Sequence, residues 1–342
     1  MAEATIRDVA RRAQVSIASV SRALNGLGNV RQETRERVIA AAAELGYVPH
    51  AGARSLSLAR AHAVGVVLPD LHGEFFSEFV RGMDREASRH GYVLLLSNIH
   101  DESEQAANAL RAMRGRVDGL IVMAPHLGAE MLRTALPPTL PSLFINGPEE
   151  IDDRPTLRLD NVGAMDAMVA HLVANGHRRI VHVAGPEGNV DARERVVGYR
   201  AAMARHAPDV EPVILAGDFS EEGGEAAIRT IRENAIPCDA VFAANDMMAI
   251  GCLQALKAAG IDVPGGIAVA GFDDVPLARY LGVTTVRVRI AEMGARAIER
   301  LIDLLEGGPA DVRAERHGAE LVVRDTTAAR ARPQASSREE PC

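Results

Sequence analysis

The spacing of hydrophobic positions changes along the chain, and each change predicts a different kind of element. Near the N-terminus Ile6, Val9, Ala10 and Ala13 recur at the i, i+3, i+4, i+7 spacing of one buried helix face, and Thr5 is placed to cap it. Gln14-Val15 breaks the period, and Ser16 can cap a second helix over Ile17–Leu24. Val20, Ala23 and Leu24 then face the first helix, while Ile17, Ala18 and Arg22 fall together on the opposite side. A turn over 26–29 leads to a third helix starting near Arg31 or Gln32. Its buried stripe is expected at Val38, Ile39, Ala42 and Leu45, and its stop at Gly46. This is the layout of a helix-turn-helix, whose second helix reads base edges in the major groove; an ordinary helical hairpin is the plain alternative. Tyr47-Val48-Pro49-His50 leaves the head in an extended path, because proline disfavours helix at the residue before it. Residues 51–60, AGARSLSLAR, are helix-capable but too short to hold a helix alone.

From Ala63 the pattern becomes short continuous apolar runs separated by amphipathic segments. AVGVVLPD (63–70), YVLLLSN (92–98), DGLIVMAP (118–125) and SLFIN (142–146) form one series, with helices expected over 75–89, over 103–114 and near Glu130. RIVHVAGP (179–186), VILAGDF (213–219), AVFAAND (240–246) and IAVAGFDD (267–274) form a second. Strands buried on both faces and alternating with helices specify parallel, doubly wound sheets. Two series predict two lobes, with ligand bound in the crevice at the carboxyl ends of the strands.

Composition narrows the class. A chain of 342 residues, 47% hydrophobic and 25% charged, is long enough for several domains of ordinary globular make-up. No run approaches the ~18 apolar residues of a membrane span, and charged residues punctuate the start from Glu3 onward, so a cytoplasmic protein is expected. Cys238, Cys252 and Cys342 lack metal-ligand spacing, and neither a metal nor a cofactor is expected. The net charge of −8 argues against nucleic acid until it is divided. Residues 1–60 hold nine arginines against five acidic residues, a balance of +4 that leaves −12 on the remainder. A basic head on an acidic body is the asymmetry of a chain that touches phosphate with one end.

The chain resembles the lactose-repressor (LacI/GalR) family of bacterial transcription regulators from Thr5 to about Thr326. The resemblance is carried by TIRDVARRAQVS…VSRALN, TRERV…AAAELGYVP, ARSL, VLPD followed by FF, RVDGLIV, GHRRI, VAGP, AGDF, FAANDMMAIG and VAGFDD, in that order. It implies an α/β chain: a three-helix helix-turn-helix head and hinge helix, then a two-lobed periplasmic-binding-protein-like core of two doubly wound parallel sheets. The expected division is a head over 1–48, a hinge over 49–62, a core over 63–326 and a disordered tail over 327–342. The first lobe would take 63–161 with 290–322, and the second 162–289 with 323–326.

The resemblance also implies roles. Ile17, Ala18 and Arg22 would meet base edges, where arginine can grip guanine in bidentate fashion and the apolar pair can touch a thymine methyl. Thr5, Ser16, Ser21 and Asn25 would contact phosphates, which set register. In the hinge, Leu56 would wedge into the minor groove and Ala53 would let two hinge helices approach. In the core, Arg195 and Asp273 would grip ligand hydroxyls, and Phe75, Phe76 and Phe219 would stack on the ligand. Asn146, Asn189, Asp191 and Asn245 are further candidates, although Asn245 can equally cap the helix that follows it. Departures from the family pattern fall at His50 and Gly52 in the hinge, and at Gly73 and Val288 near the cleft, where relatives often carry asparagine and glutamine. Asp191 adds a carboxylate, which disfavours a phosphorylated ligand and suits a neutral sugar. The expected partners are a palindromic double-stranded operator, a small-molecule effector and a second copy of the chain. No leucine repeat follows Thr326, so a homodimer is expected. A ligand acting as corepressor, such as a nucleobase, is the alternative.

Other classes fare worse. No Walker sequence, HExxH or GxSxG appears, and Gly26-Leu27-Gly28 follows a helix, not a strand, so no enzyme is expected. A sugar-binding transport protein would need a secretory signal and no basic helical head. A sequence-neutral architectural DNA protein would show no preferred palindrome.

Overall fold

The computed structural model describes residues 4–25, 30–48, 60–69, 71–99, 103–148, 151, 154–308 and 314–327. Ala53 and Leu56, with the rest of the expected hinge helix, lie outside the described residues.

The head is built from α1 (Ile6–Ala13), α2 (Ile17–Leu24) and α3 (Gln32–Glu44). The Asp8 carboxylate accepts from the Thr5 backbone N–H at 3.0 Å and from its hydroxyl at 2.6 Å. Those bonds, the hydroxyl first, hold Asp8 below the usual carboxylate range. Gln14 adopts φ 53° and ends α1, and the Ser16 hydroxyl accepts from the Ser19 N–H at 3.1 Å to start α2. Val9, Ala10, Ala13, Val20, Ala23, Val38, Ala41 and Ala42 form the core between the helices. Ile39 is 51% exposed, contrary to its place in the expected stripe. The stripe runs through Val38, Ala41, Ala42 and half-buried Leu45, and at 100° per residue Ile39 falls off it. Gly46 at φ 61° terminates the third helix in the left-handed conformation that glycine adopts without strain.

Two parallel sheets make up the core. The first has the order β11-β5-β4-β3-β1-β2, from β1 (Ala63–Leu68), β2 (Val93–Asn98), β3 (Gly119–Met123), β4 (Ser142–Ile145), β5 (Thr156–Leu159) and β11 (Glu315–His317). Its helices are α4 (Glu74–Arg89), α5 (Ser103–Ala112), α6 (Ala129–Ala135) and α12 (Ile290–Leu305). The second sheet has the order β7-β6-β8-β9, from β6 (Ile180–Val183), β7 (Val213–Leu215), β8 (Ala240–Ala243) and β9 (Ala268–Ala270). Around it lie α7 (Asn161–Ala174), α8 (Val190–His206), α9 (Glu221–Glu233), α10 (Asp246–Ala258) and α11 (Pro276–Tyr280). β1, β3, β4, β6 and β8 are buried throughout, as strands covered on both faces must be. α4 and α12 approach so closely that a Cβ at Gly82 would collide with the Ala291 carbonyl. No helix among the described residues is long and apolar enough to cross a membrane.

The chain passes between the lobes from β5 to α7, from β10 (Thr285–Arg287) to α12, and from β11 to β12 (Glu320–Val322). β12 pairs antiparallel with β10, so residues 320–322 lie with that ribbon and not with β11. Thr327, expected to begin a tail, is fully buried. Its hydroxyl meets His171 Nε2 and Thr284 Oγ1, each at 2.8 Å.

Candidate functional site

A cleft of ≈ 680 Å³ opens between the lobes, and Phe75, Phe76, Asn146, Asn189, Asp191, Arg195, Phe219, Asn245 and Asp273 all line it. Topology brings them together. Asn146, Asn189, Phe219, Asn245 and Asp273 each follow the carboxyl end of a parallel strand; Phe75 and Phe76 occupy the first turn of α4, and Asp191 and Arg195 the first and second turns of α8. Asn146, Phe219 and Asp273 hold φ values of 47°, 69° and 109°, a region costly for residues with a side chain.

Arg195 is the buried cation of the cleft. Its guanidinium lies 3.7 Å from the centroid of the Phe272 ring, donates from Nε to Asn161 Oδ1 at 2.9 Å, and donates from Nη1 to the Ala244 carbonyl. Nη2 stands 3.8 Å from Asp273 Oδ1, too long for a hydrogen bond and close enough for an ion pair. Burial pushes the Asp273 carboxyl up to about 7; Arg195 opposes that rise and Asp191 adds to it. Behind it, Asp246 is raised well above its ordinary value, again chiefly by burial, although it accepts from the Thr285 hydroxyl at 2.6 Å and the Val275 N–H at 2.9 Å. Asp191 is held on both oxygens, by Asn146 Nδ2 at 3.0 Å and Asn161 Nδ2 at 2.9 Å.

Asn189 and Asn245 cap helices while they line the cleft. Their side-chain oxygens accept from Ala192 N–H and Met248 N–H, and Asn245 Nδ2 also donates to the Phe219 carbonyl at 2.8 Å. Phe75 and Phe76 are half-buried, with ring centroids 5.3 Å apart at an interplanar angle of 82°. At Gly73 (φ 81°) a Cβ would stand 3.2 Å from Met247 Cγ, so the methionine occupies the space a larger side chain would need. Val288 is fully buried, is not among the lining residues, and donates its N–H to the Asp273 carbonyl at 3.4 Å. Sequence reasoning missed His72, His126, Asp218 and Met247 in the lining, and Asn161 behind it. The signal for Asn161 was the Asp-Asn pair after TLRL, a run too short and polar to read as a strand.

On the head, Ile17, Ala18 and Arg22 share an exposed face of α2, and Arg22 Nε donates to the Ala18 carbonyl at 3.3 Å. Thr5 and Ser16 are exposed at the starts of α1 and α2. Half-buried Asn25 donates to the Ser21 hydroxyl at 3.3 Å. On the core, the Ala61 N–H donates to Asp118 Oδ1 at 2.7 Å and Arg60 to the Leu305 carbonyl at 3.1 Å, pinning the linker's end to the first lobe.

A helix-turn-helix head joined to a two-lobed core with a polar cleft is the layout of a ligand-responsive transcription regulator. Residues 5–50 match the family described as bacterial regulatory proteins, lacI family, and residues 169–327 match a periplasmic binding protein-like domain. The chain is 33% identical over 334 residues to the HTH-type transcriptional repressor CytR of Escherichia coli (strain K12), covering 95% of this chain and 97% of that protein. It is 36% identical over 306 residues to the ribose operon repressor of the same strain, covering 87% and 92%. The lac repressor dimer bound to operator and the anti-inducer ONPF superposes with a TM-score of 0.85 at 29% identity, covering 96% of this chain and 100% of that one. The complex of the transcriptional regulator CelR with cellobiose gives 0.69 at 30% identity, covering 94% and 99%. The chain belongs to the lacI family of bacterial regulatory proteins, and is a DNA-binding regulator, not an enzyme.

Proposed function

We propose that this protein is a cytoplasmic repressor that holds a palindromic operator as a homodimer and releases it when a neutral sugar closes into the cleft. The observation that carries the reading is the convergence of Arg195, Asp273, Asn146 and three phenylalanines on one interlobe space. A guanidinium fork spans neighbouring hydroxyl oxygens, a carboxylate accepts from O–H, and the rings cover apolar ring faces. Carboxylates outnumber the one arginine in the lining, which repels a phosphorylated ligand. The ribose and cellobiose named for relatives are of the neutral class.

In this reading residues 1–48 are the DNA head, with Arg22, Ile17 and Ala18 reading bases and Thr5, Ser16, Ser21 and Asn25 on phosphates. Ala53 and Leu56 act in the hinge over 49–62. Exposed Val93, Leu95 and Leu96 on edge strand β2 are apolar surface that a second copy can cover. Ligand bound between the lobes favours one interlobe angle, and the linker pinned to the first lobe carries the change to the hinge. Melting temperatures of the full-length protein against neutral sugars, sugar phosphates and nucleobases test this. A neutral sugar should raise the melting temperature; stabilisation by sugar phosphates alone would refute the ligand class.

A further inference from the structure

Asn161 stands where the cleft and the first interlobe crossover meet. It opens α7, two residues beyond the end of β5, and is 1% exposed. It does not line the cleft, yet its amide is fully engaged by one face of α8. Oδ1 accepts from Arg195 Nε at 2.9 Å, and Nδ2 donates to Asp191 Oδ1 at 2.9 Å and to Glu194 Oε2 at 2.7 Å. A carboxamide carries an acceptor and a pair of donors on one rigid plane, and this arrangement uses both. Only one orientation fits: flipped, Nδ2 would face the Arg195 N–H and Oδ1 would face two carboxylates.

The bonds close a circuit across the lobes. Asn146, at the end of β4, donates to Asp191 Oδ2 at 3.0 Å and accepts from the Leu159 N–H at 3.1 Å. Leu159, Asp160 and Asn161 are consecutive, so the chain itself completes the ring back to Asp191. The Asp160 N–H also donates to the His317 carbonyl at 3.4 Å, which joins the crossover at β11 to the same circuit. The cleft arginine and Asp191 are therefore held from the crossover.

We propose that Asn161 is a positioning residue of the effector site: it orients Arg195 and Asp191 and ties both to the interlobe crossover, so that a ligand drawing on either group is felt there. The proposal rests on the cleft being the effector site. Asn161→Leu keeps the branched outline, at a larger volume, and removes the acceptor and both donors. Asn161→Asp keeps the acceptor for Arg195, loses the donors and sets a third carboxylate beside two others.

The test is solvent exchange of the Arg195 Nε–H, followed by NMR in 15N-labelled full-length protein and assigned by its loss in Arg195→Lys. Beside it run melting-temperature titrations with D-ribose and with cellobiose. The wild-type Nε–H should exchange at least about tenfold slower than those of exposed arginines. Asn161→Leu should lose that protection and Asn161→Asp should keep it. Both variants should bind whichever sugar stabilises the wild type at least about tenfold more weakly, the equivalent of one charge-assisted hydrogen bond. Unchanged exchange in Asn161→Leu overturns the proposal. So does wild-type sugar affinity in Asn161→Asp, which also decides the matter should the leucine variant not fold. If the exchange rates divide as expected while neither sugar stabilises the wild type, the orienting of Arg195 is supported and the neutral-sugar reading is what has failed.

Discussion

Asn146 and Asp191 face each other from opposite lobes, and the amide of the first donates to the carboxylate of the second at 3.0 Å. Three more polar contacts cross the same gap: Val190 N–H to the Pro125 carbonyl at 3.2 Å, His72 Nε2 with Glu221 Oε2 at 2.9 Å, and Leu277 N–H to Glu74 Oε2 at 2.7 Å. The lobes thus meet around the cleft through groups that a ligand can compete for or reinforce.

Replacing Asp191 by alanine leaves the amides of Asn146 and Asn161 without this acceptor. The cost is about 1–3 kcal/mol of stability, the range for removing one partner of a buried polar group. Denaturant unfolding should register the loss, and small-angle X-ray scattering should register a larger radius of gyration as the lobes part. An unchanged radius would mean that the other contacts alone hold the lobes.

Asp273 makes stability depend on pH with a definite sign. Its folded pKa, raised to about 7 by burial, lies above the ordinary carboxylate value of 3.8. The folded form therefore holds the proton more tightly, and the contribution, fully present below about pH 4, is lost as pH rises through about 7. His182 acts in the opposite direction. Burial lowers it to about 4, so its contribution is lost as pH falls from about 6.5 through about 4. Asp273→Asn should flatten the decline in melting temperature between pH 4 and pH 7 relative to wild type. A sugar hydroxyl donating to Asp273 favours its ionised form, so binding near pH 6 should release protons. Calorimetry in buffers of different ionisation enthalpy measures that release.

Arg22→Ala should relax discrimination at one base pair of each half-site by ~1–3 kcal/mol. Because Arg22 is exposed, melting of the free protein should not change. Affinities for single-base variants of a duplex selected from a random pool provide the check. An unaltered preference at every position would remove Arg22 from base reading.

Much of this arrangement was legible in the residues, for reasons that differ by region. The head was readable because α1 and α2 carry strict helical spacing between recognisable caps at Thr5 and Ser16. Ile39 was misplaced because α3 is alanine-rich, and its small residues blur where the buried stripe runs. The cleft residues were readable because strand ends project them into a crevice and the family motifs fall there. β5, β10, β11 and β12 went unread. They are three or four residues long, and TLRL, TVR, ERH and ELV place charged or polar residues among the apolar ones. Missing β5 also hid Asn161, whose significance depends on following the strand from which the chain crosses between lobes.

Gly82→Ala should destabilise the first lobe by about 1–3 kcal/mol, because the added methyl meets backbone of α12 that cannot rotate away. Equilibrium unfolding should show the loss while the base preference of the head stays intact. A neutral result would mean that α4 and α12 can slide apart freely.

In the proposed function the cleft governs the grip of the head on DNA. Fluorescence anisotropy of a labelled palindromic duplex, titrated with full-length protein in the presence and absence of the sugar that stabilises it, tests this directly. Wild type should bind more weakly when the sugar is added, whereas Arg195→Ala should bind the duplex as the sugar-free wild type does and ignore the sugar. A wild-type complex indifferent to the sugar, or an Arg195→Ala complex released as readily as wild type, would contradict it.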